Sequence, residues 1–232
     1  MIQIRKSDER GAAKLDWLDS KHTFSFADYH DPNHMGFGAL RVINEDRIVA
    51  AGGFPTHGHR DMEIISYVLE GQLEHQDNMG NGSIIRRGEI QKMSAGTGIQ
   101  HSEFNPSQDD GNHFFQIWII PDTVGLLPSY EQQDVPTRET GGALICVGSK
   151  GGAKSGVTIH QDVDLYVLRL GAEERETYNP ATGRNIWVQV AWGSLSVNGE
   201  TLSAGDAAAL EGEASVLFEA GEDTEALLFD LA

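Results

Sequence analysis

Tyr67-Val-Leu-Glu-Gly71-Gln-Leu-Glu74 reads as a strand, a glycine turn and a second strand, and Gln189-Val-Ala-Trp-Gly193-Ser-Leu-Ser196 repeats it faintly. A Gly-acid turn follows each copy, Gly88-Glu89 after the first and Gly205-Asp206 after the second. A copied unit carries its own core, so two copies of one β-unit is the economical reading. Working outward, short apolar runs lie between turn clusters at 64–69, 83–85, 90–93, 114–120, 165–170, 186–190, 195–197, 216–218 and 226–229. Each is strand-length, rich in β-branched or aromatic residues, and bounded by Gly, Asn, Asp or Pro. Helical periodicity is scarce, and 27 glycines serve tight turns, so the chain is expected to be all-β, with antiparallel sandwiches or barrels. The stretch 121–154 is richest in Pro, Gly and polar residues. It sets the expected division at 1–130 for the first unit, 131–149 for a linker and 150–232 for the second.

The 232 residues suffice for two small domains. With 35 acidic against 17 basic residues the formal charge is −18, which argues against nucleic acid and anionic membrane surfaces as partners. Cys146 is the one cysteine, so no disulfide forms within the chain. The N-terminal segment turns charged within five residues, and the longest apolar stretch, 114–120, is far short of a membrane span. A cytoplasmic setting is expected.

Two short pairs carry the chemistry, His57-Gly58-His59 and His101-Ser102-Glu103. In an extended strand, residues two apart point to one face, so each pair can close on one ion. Neutral imidazole and carboxylate suit the divalent transition metals, whereas Ca and Mg prefer all-oxygen shells. Four protein ligands on an octahedral ion leave two positions open, which is a catalytic arrangement rather than a closed structural one. A single His-x-His is more often a solvated or hydrogen-bonded pair; two such pairs, each placed by glycine-rich turns, favour the metal.

Gly53-Phe-Pro-Thr-His-Gly-His-Arg-Asp-Met-Glu63, followed by Tyr67 to Gly71, resembles the first cupin motif, and Gly88 through Ser94-Ala-Gly-Thr-Gly-Ile-Gln-His-Ser-Glu-Phe-Asn105 resembles the second. His22-Thr-Phe-Ser-Phe26, Asp31-Pro-Asn-His-Met-Gly36 and His75-Gln-Asp-Asn-Met-Gly80 are similar to bacterial pirins of the bicupin class. The resemblance implies two face-to-face β-barrels, with a metal in the N-terminal one held by His57, His59, His101 and Glu103. General cupins take their carboxylate from the first motif, where Glu63 stands. An uninterrupted strand over 57–63 would carry Glu63 about 13 Å from His59, an objection that a turn near Arg60-Asp61 would remove. Pirins use the carboxylate that Glu103 supplies, so Glu63 is expected behind the metal. Ser94 stands where general cupins have proline, a departure that pirins tolerate.

The second unit has no such pair and is expected to be metal-free. His22, His30, His34, His75, His113 and His160 are read as structural or solvated, Trp118, Trp187 and Trp192 as core, and Cys146 as a small core residue. The resemblance implies one divalent ion, Fe(II) foremost, with Ni, Cu, Co, Mn or Zn also accepted. The implied activity is that of a quercetin 2,3-dioxygenase, opening a flavonol-type ring with O2 and releasing carbon monoxide, with Glu103 as ligand and general base. The partners are then a small aromatic substrate and O2. The alternative is a redox-sensing module that binds a protein partner through the same metal. A monomer is expected, as is metal loss on acidification through about pH 6 to 5.

Overall fold

The computed structural model describes residues 1–232 and consists almost entirely of antiparallel strands. Every apolar run of the sequence lies in one: 64–69 in Glu63–Glu70, 114–120 largely in Asn112–Ile119, 186–190 in Asn185–Trp192, and 226–229 in Thr224–Leu231. No helix is long and apolar enough to cross a membrane.

The chain forms two compact units, one of residues 11–135 and 157–161, the other of 1–10, 136–156 and 162–232. Set beside the expected 1–130, 131–149 and 150–232, the units exchange short segments. Ile2–Arg5 pairs with Ala207–Glu211, Ile2 opposite Leu210 and Arg5 opposite Ala207, so the first ten residues belong with the C-terminal half. The stretch expected as linker is ordered. Strand Ser129–Asp134 pairs with Glu89–Ser94, a single helical turn occupies Arg138–Gly141, and Leu144–Lys150 pairs with Val163–Leu170. Backbone pairing satisfies Ser129–Asp134 although its side chains carry little apolar pattern, whereas Leu144–Lys150 buries Ile145 and Val147.

In the N-terminal unit, one sheet runs in the order Ser129–Asp134, Glu89–Ser94, Glu63–Glu70, Asn112–Ile119, Leu40–Ile48, Leu18–His22, Gly11–Lys14. The other runs Gly53–His59, Ile99–Phe104, Gln72–Asp77, Gly82–Arg86. Both sheets feed the core between them: Val68 and Phe114 of the larger meet Leu73 and Ile85 of the smaller, with Phe54 against them. In the C-terminal unit the larger sheet runs Ile2–Arg5, Ala207–Glu211, Asn185–Trp192, Thr224–Leu231, Val163–Leu170, Leu144–Lys150, and the smaller Arg175–Tyr178, Val216–Ala220, Ser194–Val197, Glu200–Ser203. Its interior is a continuous apolar cluster that includes Val188, Val190, Leu195, Phe218 and Leu228. Cys146 is half-buried at the edge of that cluster.

The repeat is visible in the turns. Gly71 and Gly193 both take left-handed backbone, at φ 69° and 74°. A Cβ at Gly193 would lie 2.4 Å from the Asp223 carbonyl oxygen, so only glycine closes that turn without strain.

Candidate metal centre

Strand Ile99–Phe104 sits between Gly53–His59 and Gln72–Asp77, and its register assembles the site. His101 lies opposite His57 on one side and Asp77 on the other. His57, His59 and His101 therefore share one face. Their ring centroids are 4.5 to 4.9 Å apart, and their ligand-grade nitrogens lie within 4.8 Å of one another.

Glu103 reaches the cluster differently. A bulge between His101 and Glu103 shifts its partner on the first side to Phe54, while on the second side it stays opposite His75. It accordingly groups with His101 and His75, and joins the histidine trio by way of His101. Ser66 Oγ donates to one carboxylate oxygen at 3.2 Å and Gln116 Nε2 to the other at 2.6 Å. Each oxygen keeps a lone pair beyond these contacts. Burial pushes the Glu103 carboxyl up to about 7, the Asp46 carboxyl adds to that push, and the bonds from Ser66 and Gln116 oppose it.

The hydrogen bonds fix the tautomers. His57 Nδ1 lies 2.8 Å from the Pro55 carbonyl oxygen, which only accepts, so Nδ1 carries the proton and Nε2 the lone pair. His75 Nε2 donates to Asp77 at 3.2 Å, and the neutral ring then offers Nδ1 to His101 Nδ1–H at 3.4 Å. This relay leaves His101 Nε2 as a bare acceptor, buried and without a hydrogen-bond partner. A buried lone pair facing two more imidazoles is what a cation-binding site needs, and the donor set suits a divalent transition metal. Burial lowers His101 to about 2, with the neighbouring imidazoles adding to it, and lowers His59 to about 4, helped by His57. Both rings stay neutral at pH 7, as ligation requires.

The structure revises several sequence readings. His75, read as structural or solvated, is buried against His101 and orients it. The signal was present, since His75-Gln-Asp77 has the same i, i+2 spacing as the two recognised pairs. The chain does turn between His59 and Glu63, with Asp61 at φ 48°, yet Glu63 belongs to neither ligand group. It is held in a separate buried network, accepting from Ser94 Oγ at 3.0 Å with His160 Nδ1 at 3.1 Å and Lys92 Nζ at 3.6 Å. Trp118, read as core, is half-buried, edge-on to His59 at 4.9 Å. It lines a 510 Å³ cavity that also touches His57, His59, Gln116 and His22, a volume within the roughly 300 to 1,000 Å³ usual for small-molecule sites.

Two family profiles match successive parts of the chain. The Pirin family profile matches residues 3–119, and the profile of the quercetinase C-terminal cupin domain matches 146–231. The chain is 48% identical over 231 residues to the quercetin 2,3-dioxygenase of Escherichia coli K12, covering 100% of this chain and 99% of the relative. It is 40% identical to a pirin-like protein of Caulobacter vibrioides, over 100% of both chains. The crystal structure of the bacterial pirin YhhW from Escherichia coli in complex with nickel(II) matches at a TM-score of 0.95 and 48% identity, over 100% of this chain and 99% of that one. With a bicupin fold, the paired histidines and both family profiles in agreement, this chain belongs to the pirin family.

Proposed function

We propose that the N-terminal unit is the catalytic half of a metal-dependent dioxygenase of the quercetin 2,3-dioxygenase kind. His57, His59, His101 and Glu103 would hold one divalent ion, with Fe(II) the expected resident. The observation that carries this reading is the bare, buried His101 Nε2 beside the imidazoles of His57 and His59, which stand on the wall of a largely apolar cavity.

When bound, the ion would supply Lewis-acid stabilisation of a deprotonated substrate oxygen. The chain supplies the rest. The apolar walls take the aromatic body of a flavonol and exclude water from its central ring. Glu103 accepts the proton of the substrate's 3-hydroxyl, and Gln116 and Ser66 keep its carboxylate in place as it does so. Both atoms of O2 enter the ring-opened product, and one ring carbon leaves as carbon monoxide. The C-terminal unit offers no equivalent trio.

Quercetin turnover under air, followed by loss of flavonol absorbance and release of carbon monoxide, tests the reading. The reaction is expected to stop under argon. Glu103→Gln is expected to keep metal while losing about 100-fold or more in kcat, as a removed general base does. An active metal-free protein would overturn the assignment.

A further inference from the structure

The same cavity contains a feature that the metal does not use. Among the atoms of its lining residues, Asn44 Oδ1, Asp46 Oδ1 and Trp118 Nε1 are buried without a hydrogen-bond partner. Asn44 and Asp46 are 2% and 1% exposed, and successive side chains on strand Leu40–Ile48 alternate between faces, so residues 44 and 46 share one. Asn44 stands opposite Gln116 on one side and His22 on the other, one strand spacing beyond the residue that holds Glu103. Asp46 stands opposite Ser20, whose hydroxyl bonds its carboxyl.

Buried polar atoms in folded proteins are almost always paired, so a group of orphans on one cavity wall marks where a ligand's complementary atoms go. Asn44 Oδ1 is an acceptor, and so is Asp46 Oδ1 while its carboxyl, which burial pushes up to about 7, is ionised. They call for O–H or N–H donors. No lysine or arginine lines the cavity, and Asp28 and Asp46 do, so the ligand is not an anion such as a phosphate or carboxylate. Leu15, Leu18, Phe26 and Phe54 supply the apolar remainder, which fits a flat body with hydroxyls on its rim.

We propose that Asn44 and Asp46 are specificity-determining residues that accept hydrogen bonds from phenolic hydroxyls on the part of the substrate away from its metal-binding hydroxy-keto pair. This rests on the flavonol reading and names the residues that would tell a hydroxylated flavonol from one lacking those hydroxyls. A site built around buried acceptors rejects an analogue that lacks the donor, because the acceptors are then left unpaired.

The test uses the metal-loaded protein and three probes that share the hydroxy-keto pair: 3-hydroxyflavone with no other hydroxyl, galangin with two on the fused ring, and quercetin with two more on the pendant ring. Affinities are measured anaerobically by fluorescence titration, and turnover separately under air. The wild type is expected to bind at least one hydroxylated probe about tenfold or more tighter than 3-hydroxyflavone, the factor a well-placed hydrogen bond is worth. Asn44→Leu and Asp46→Leu are expected to remove most of that preference. Asp46→Asn, which keeps an acceptor oxygen and is the milder change for folding, is expected to retain part of it. Equal affinity of the wild type for all three probes overturns the proposal, as water alone then serves these atoms. Equal loss for every probe in the leucine variants overturns it too. Preferential binding without turnover would uphold the recognition edge and sink the dioxygenase reading, so the two fail separately.

Discussion

The two units are built on one plan and filled with opposite chemistry. Ser66 in the N-terminal unit corresponds through the repeat to Val188 in the C-terminal one. Ser66 pairs across the sheet with Gln116, and both hold Glu103; Val188 pairs with Leu228, and both are fully buried in an apolar cluster. The first interior gives up packing to carry a polar row, three clustered imidazoles and a cavity. The second spends the same positions on aliphatic contact. Buried polar groups cost free energy unless paired, so the N-terminal arrangement persists only because each group is served by a partner or awaits one, while the C-terminal arrangement needs none.

The largest effect that tests this contrast is loss of the trio. His101→Ala is expected to take bound metal from one ion per chain to none, and activity down by more than about 100-fold, with nothing in the C-terminal unit to substitute. Metal analysis after gel filtration measures it, and a second equivalent of tightly held metal in the wild type would break the contrast. Next is the relay. His75→Phe and Asp77→Asn leave every proposed ligand in place but free the His101 ring, and each is expected to weaken metal affinity by about 10- to 100-fold in chelator competition. Transplanting polarity the other way, Val188→Ser is expected to cost about 1 to 3 kcal/mol in denaturant unfolding, with metal content unchanged, because the hydroxyl enters a core with no acceptor prepared for it. The smallest effect is on pH. Glu103 ligates only when deprotonated, and its proton affinity is raised to about 7, so metal affinity is expected to be flat above pH 7 and to fall by up to about tenfold per unit below it. His59 and His101, lowered to about 4 and 2, compete with protons only under stronger acid. The expectation of metal loss between pH 6 and 5 is thereby joined by a carboxylate-driven decline that begins earlier. A titration in which affinity does not change between pH 8 and 6 would refute it.

How far the sequence could be read follows the same divide. The apolar runs announced their strands because their side chains fill cores, and the two i, i+2 pairs announced the metal because ligand chemistry is local along a strand. Strand Leu40–Ile48 gave no such sign. Asn44, Glu45 and Asp46 interrupt its apolar pattern, and they do so because 44 and 46 face the cavity while Glu45 meets the His113 ring at 2.9 Å. His75 shows its spacing to Asp77 in the sequence, but not its contact with His101. Its partner is 26 residues away along the chain, and cross-strand register alone brings the two rings together. Glu63 occupies the position of a general cupin's carboxylate, but Lys92 and His160 hold it in a network of their own, which its motif position does not announce.

The segments exchanged between the halves bear on how this protein is made. Residues 11–135 can begin to fold as they emerge during synthesis, lacking only the short piece 157–161. The other half holds its first strand, Ile2–Arg5, before anything else, but Ala207–Glu211 must be translated before that strand has a partner. At ribosomal rates of about 5 to 20 residues per second, the leading strand waits on the order of 10 to 40 seconds with its edge unpaired. The N-terminal unit is therefore expected to fold first, with strand Ile2–Arg5 open to mispairing until its partner is made.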